Sequence, residues 1–139
     1  MMLRTGVAAL SIFALTTAAV AQEAGPITNR EVVGEWTLTV TPADQSVSFE
    51  SADGTSPDFP LKITRRRAGP PTCVVRDRPA ECRIDEEGLI IESASRTGEA
   101  RLIFTLTART ATGFSGMARI RVGSLPDGMH VGAVTMVRR

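Results

Sequence analysis

Apolar and polar residues alternate along the chain from Val33 onward, in short stretches that turn residues separate. In the first stretch, Trp36, Leu38 and Val40 would share one face, with polar residues between them. A period of two residues is typical of a half-buried β-strand. The same pattern predicts further strands at Val47 with Phe49, Phe59 to Ile63, Leu89 to Ser95, Ala100 to Ala108, Met117 to Val122 and Met129 to Arg139.

Short strands at regular spacing predict an all-β domain over residues 32–139. We expect a small up-and-down antiparallel β-barrel of about eight or nine strands, with a β-sandwich as the alternative. The barrel is favoured because closure of a meander leaves no unpaired edge strand. Side chains should largely fill so small a barrel, so binding is expected at an open end, on the arginine face or through the N-terminal tail. The expected interior residues are Trp36, Leu38, Phe104, Leu106 and Ile120.

The first 21 residues differ from the rest of the chain. Arg4 precedes an apolar run, which ends in the small-x-small pattern Ala19-Val20-Ala21. This arrangement predicts a secretory signal peptide cleaved after Ala21, and therefore a periplasmic or secreted protein. The alternative is a membrane anchor, but the run is shorter than the roughly 18–20 apolar residues that span a bilayer. Residues 22–31 are polar and read as a flexible N-terminal tail.

Two cysteines, Cys73 and Cys82, follow the predicted signal peptide. An even pair in an exported chain predicts a disulfide. The segment between them reads as a hairpin in which Cys73 faces Cys82 and residues 76–79 form a four-residue turn. A redox pair is disfavoured because the spacing is wider than Cys-x-x-Cys.

Charge and chemistry exclude several function classes. The whole chain has 16 basic and 15 acidic residues, and Arg4 is the one basic residue of the predicted signal peptide. Without that peptide the net charge is zero, which argues against nucleic-acid binding. His130 is the only histidine, so we expect no metal and no cofactor. A nucleophile elbow has the pattern Gly-x-Ser-x-Gly. The chain matches it at Gly113 and Ser115, but Met117 occupies the position of the last glycine, so we expect no enzyme activity. Aromatic residues make up 4%, too few for the girdles of a membrane-spanning barrel.

Arginines form two candidate binding surfaces. Arg65, Arg66 and Arg67 follow one predicted strand directly and would suit an anionic partner, although a solvated loop is the alternative. The second surface is an outward-facing basic stripe on adjacent strands, made of Arg101, Arg109, Arg119 and Arg121.

The opening of the first strand, Gly34-Glu35-Trp36, resembles that of the calycin superfamily, which includes lipocalins, avidins and bacterial metalloprotease inhibitors. In those proteins the tryptophan closes one end of the barrel and a basic residue of the last strand packs across it. The resemblance implies these roles for Gly34 and Trp36 and for Arg138 or Arg139, between which the strand pattern does not choose.

These inferences point to a non-enzymatic binding protein of the bacterial cell envelope, with a calycin-like barrel that binds a small apolar ligand or a partner. Two alternatives stay open. A periplasmic protease inhibitor would act through its N-terminal tail, and an envelope accessory protein would bind anionic polymers through its arginines.

Overall fold

The computed structural model of the chain describes residues 25–43, 58–95, 98–123 and 128–139. A short helix, α1 (Asn29–Val32), precedes eight strands. The strands are β1 (Gly34–Pro42), β2 (Asp58–Thr64), β3 (Thr72–Val75), β4 (Arg78–Ile84), β5 (Leu89–Ala94), β6 (Ala100–Arg109), β7 (Gly113–Val122) and β8 (Met129–Arg138).

Each strand pairs antiparallel with the next, and β8 pairs with β1, so the sheet closes into a barrel. The predicted up-and-down barrel is confirmed, and the sandwich alternative is wrong. The strand predicted around Val47 and Phe49 lies outside the described residues. Within the described part of the chain, no helix is long and apolar enough to cross a membrane.

The apolar residues at alternating strand positions face the inside of the barrel and form its core, as the sequence predicts. Trp36, Leu38, Phe104 and Leu106 are at most 2% exposed, whereas Ile120 is only partly buried. Among the described residues no polar or charged side chain is buried in this core. The interior is therefore apolar and well filled near Trp36.

The disulfide Cys73–Cys82 is confirmed, but the predicted hairpin register is wrong. Cys73 lies opposite Ala80, and the turn is the two-residue pair Arg76-Asp77, both with positive φ. A turn of this kind matches the right-handed twist of the flanking strands, which explains why the short turn is adopted. The disulfide consequently joins β3 and β4 diagonally, with 6.0 Å between the two Cα atoms.

Irregularities interrupt two strand pairs and change which way residues face. In β6 the register with β7 shifts between Leu106 and Ala108, so Arg109 lies opposite the buried Phe114. The predicted outward position of Arg109 is therefore wrong, because the β-bulge reverses the alternation beyond it. A second shift between β7 and β8 puts Met129 opposite Ile120, on the inner face.

The described part of the predicted tail, residues 25–31, packs against the barrel. Ile27 is 6% exposed, and α1 contributes Val32 to the core. Apolar burial and hydrogen bonds from Arg109 and Arg138 hold these residues, for which the sequence predicted a flexible tail. Residues 22–24 lie outside the described part of the chain.

Candidate functional site

Trp36 is buried at the end of the barrel where α1 packs, which we name the sealed end. Its indole Nε1 donates a hydrogen bond of 2.8 Å to the carbonyl oxygen of Val32, at the end of α1. Its ring packs against Phe114 with centroids 5.7 Å apart and planes tilted by 57°. The only tryptophan of the chain is thus fixed between the barrel core and the N-terminal segment.

Arg138 covers Trp36 from outside the core. Its Cζ lies 4.1 Å from the ring centroid, a distance suited to a cation–π contact. The same guanidinium donates hydrogen bonds to the carbonyl oxygens of Val33 (3.3 Å) and Glu31 (3.2 Å). Arg139, the other residue that the resemblance left open, uses only its backbone N, which donates to Glu35.

Gly34 makes room for this arrangement. Its φ is +138°, a conformation that other residues rarely adopt, and a Cβ there would lie 2.6 Å from Nη1 of Arg138. The Gly-x-Trp pattern therefore has a physical reason in this chain: the glycine clears the space that the arginine occupies above the tryptophan.

Arg109 holds the N-terminal segment from the opposite side. Its Nε donates to Oε1 of Glu31 (2.7 Å) and its Nη2 to Oε2 (2.8 Å), a bidentate pair. Further hydrogen bonds reach the carbonyl oxygens of Gly25 (2.7 Å) and Pro26 (3.2 Å). The hydrogen bonds from Arg109 and from the backbone of Thr28 lower the pKa of Glu31 to about 2. The carboxylate in turn raises the pKa of Arg109.

A groove lies beside the sealed end of the barrel, between α1 and the loop that joins β2 to β3. Its volume is about 520 Å³. We name it the arginine groove, and its polar and charged lining comes from Thr28, Asn29, Arg30, Arg65, Arg66 and Arg67. The structure thus joins the predicted Arg65–Arg67 cluster to Arg30, which the sequence did not indicate because α1 is too short to show a helical pattern.

The predicted outer basic stripe is only partly formed. Arg101 lies opposite Arg121, and Arg119 is two residues along the same face of β7. Carboxylates neutralise Arg101, however, since Glu92 lies 3.3 Å and Glu81 3.6 Å from its Nη1. Within the described residues, Nε of Arg121 is buried without a hydrogen-bond partner. This surface is a mixed ionic network rather than a basic stripe.

The opposite end of the barrel presents apolar residues. Leu102, Ile120 and Met129 lie in one row across β6, β7 and β8, on the inner face. Val122, opposite Ala100, continues this face to the end of β7. We name these four residues the apolar rim. Val122 is 50% and Met129 63% exposed, whereas Phe104, one step deeper, is fully buried.

Two remaining polar candidates, His130 and Asp85, lie outside the barrel interior. His130 lies opposite Arg119 on the outer face and is exposed. Asp85 accepts hydrogen bonds from the backbone N of Glu87 (2.8 Å) and Gly88 (3.3 Å), which makes it a turn residue of the β4–β5 connection. Neither arrangement brings a nucleophile and a base together.

The geometry thus defines the class of protein, a closed eight-stranded antiparallel barrel, with exposed apolar residues on its inner face at the end opposite Trp36. Comparison with protein-family models, with curated proteins and with solved structures found no match to this chain.

Proposed function

We propose that this protein is an exported, non-enzymatic binding protein of calycin type, which takes up a small apolar ligand at the apolar rim. The observation that carries the proposal is the exposure of Val122 and Met129 on the inner face of the barrel mouth. Exposed apolar side chains on the inner face of a barrel are suited to contact an apolar small molecule.

The rest of the interior supports an apolar ligand. Beyond the rim, Phe59 and Phe104 meet with ring centroids 5.4 Å apart, and both side chains are buried. A polar ligand entering here would lose its hydration without finding buried hydrogen-bond partners among the described residues. The chemistry of the mouth therefore selects hydrocarbon or aromatic groups.

The sealed end supports the calycin part of the proposal. Trp36 under Arg138, with Gly34 beside them, reproduces the arrangement that the resemblance implies for the closed end. Export is supported by the pattern of residues 1–21 and by the disulfide, since disulfides persist in oxidising compartments. The inhibitor alternative is less favoured because Arg109 holds residues 25, 26 and 31 against the barrel.

Two methionines on opposite faces of the same sheet allow a matched test. Met129 lies on the apolar rim and Met117 lies outside, 47% exposed. We expect Met129→Lys to weaken binding of an apolar fluorescent probe, such as a naphthalene-based dye, by about tenfold or more, because a charge in the mouth opposes apolar burial. Met117→Lys should leave the affinity within about twofold. Absence of probe binding, or equal losses in both variants, would refute the proposal.

Native mass spectrometry of the mature chain, purified from its own cell envelope, would identify the ligand. A small-molecule adduct that Met129→Lys removes would support the apolar site and give the ligand's mass. A complex with another protein that survives Met129→Lys would replace the ligand by a partner as the main function.

A further inference from the structure

We propose that the arginine groove is a second binding site, for a phosphate group that carries two or more negative charges. The site is independent of the apolar rim, because the groove lies beside the sealed end of the barrel and the rim lies at the other end. Different residues carry the two proposals, so either can fail alone.

Among the described residues, no carboxylate offsets the charge of the groove. The described lining includes Arg30, Arg65, Arg66 and Arg67 but neither an aspartate nor a glutamate. In the described part of the chain none of the four forms an ion pair, whereas Arg83, Arg101 and Arg109 each have a carboxylate within 4 Å. Four cations around one concave surface repel one another, and a bound anion removes that repulsion.

The nearest carboxylate in sequence is directed elsewhere. Glu31 follows Arg30 directly, but successive residues of a helix point about 100° apart. Glu31 is therefore free to pair with Arg109, while Arg30 lines the groove. Because Glu31 pairs with Arg109, it does not neutralise Arg30 in the groove.

The lining matches the chemistry of phosphate. Guanidinium groups bind phosphate through paired N–H donors, and several of them suit a group with several charged oxygens. The amide of Asn29 adds a neutral donor at the same surface. The volume of about 520 Å³ accommodates more than a single phosphate ion, so a pyrophosphate or a phosphate monoester with part of its carrier fits.

The test is calorimetric titration of the mature chain with inorganic pyrophosphate, with citrate as a carboxylate of similar charge. We expect pyrophosphate to bind more tightly and its affinity to fall steeply between low and physiological salt. Arg30→Gln, on α1, and the double variant Arg65→Gln/Arg66→Gln, on the loop, should each lose about tenfold or more in affinity. Thermal unfolding of each variant reports whether the fold is intact.

Arg119→Gln is the matched control, because Arg119 is an exposed arginine of the outer face without an ion pair among the described residues. It removes the same charge and should change the affinity less than twofold, by about the effect of net charge alone. Equal losses in the groove variants and in Arg119→Gln, or citrate binding as tight as pyrophosphate, would overturn the proposal.

Vesicles containing phosphatidic acid separate the two sources of the same chemistry. Binding of free pyrophosphate and its loss in both groove variants would support a soluble phosphate ligand. Binding to the vesicles alone, with the same losses, would support a lipid headgroup in the same groove. Binding to neither probe would overturn the proposal.

Discussion

Arg109 and Glu31 form a bidentate ion pair across 78 residues of sequence, with N–O distances of 2.7 and 2.8 Å. The pair exists because the bulge in β6 turns Arg109 away from the outer face and toward the sealed end. It fastens α1 onto the barrel, and the neighbouring residue Arg30 lines the arginine groove. One ion pair therefore links the closure of the barrel to the charge of the second site.

Replacement of Glu31 should make stability less sensitive to acid. The pKa of Glu31 is lowered from 4.5 to about 2 in the folded protein, so its stabilisation is complete above about pH 4.5 and is lost as the pH falls toward 2. We expect Glu31→Gln to cost about 1 kcal/mol at pH 7, a modest value because solvent screens the pair. The difference from the parent protein should vanish near pH 2. Urea unfolding at several pH values measures it.

Glu86→Gln serves as the control, since Glu86 is an exposed residue of the β4–β5 turn. It should change the free energy of unfolding by less than about 0.5 kcal/mol at every pH. A Glu31→Gln difference that stays constant from pH 7 to pH 2 would contradict the role of the ion pair.

Arg138→Ala should destabilise the barrel and expose the indole. The change removes the contact with Trp36 and two hydrogen bonds to backbone carbonyls, which together contribute about 1–3 kcal/mol. Because Trp36 is the only tryptophan, its emission should shift to longer wavelength in the folded variant. Arg139→Ala removes a neighbouring arginine that uses only its backbone here, so unchanged emission is expected. The same shift in both variants would mean that Arg138 does not cover the ring.

Gly34→Ala should be more harmful than a typical surface change. The alanine would have to adopt a φ near +138° and would push Nη1 of Arg138 away. We expect a cost of about 1–3 kcal/mol in urea unfolding, from backbone strain and the displaced arginine. Gly25→Ala is the comparison, because its Cβ would meet nothing within 4 Å. Equal stability of the two variants would show that Gly34 is not required beside Arg138.

Reduction of Cys73–Cys82 should lower stability without abolishing the fold. The cysteines are only nine residues apart, and closing so short a loop stabilises by about 2–3 kcal/mol in the chain-entropy model. Cys73→Ser/Cys82→Ser should show the same loss, and a reducing agent should then have no further effect. Thermal unfolding with and without reductant measures both. Loss of the β-sheet circular dichroism signal in the double variant at room temperature would contradict this expectation.

Alternation was sufficient to predict the class of fold. In β1, Trp36, Leu38 and Val40 alternate with polar residues because one face of the strand is buried and the other faces solvent. This period of two residues is therefore visible in the sequence. The bounds predicted for β5, β6 and β8 agree with the structure to within a residue. A fold that is built from one repeated periodicity is readable without any knowledge of its function.

Local irregularities of the backbone could not be predicted from the sequence. Nothing in the composition around Thr107 indicates a bulge, yet the bulge decides that Arg109 faces Glu31. Likewise, positive φ at Arg76 and Asp77 made the hairpin turn two residues shorter than predicted. Both irregularities depend on tertiary pairing. The sequence indicated the Arg65–Arg67 cluster, but the position of Arg30 beside it and the apolar rim emerged only from the structure.

Barrel closure also has a consequence for the order in which the chain can assemble. The contact between Arg138 and the carbonyl of Glu31 spans 107 residues, so the ring cannot close until the last strand is available. The Cys73–Cys82 hairpin, in contrast, is local and can form without the last strand. One edge of β1 therefore stays unpaired until β8 has been synthesised. An unpaired strand edge favours aggregation, so the incomplete chain needs more protection than the folded barrel.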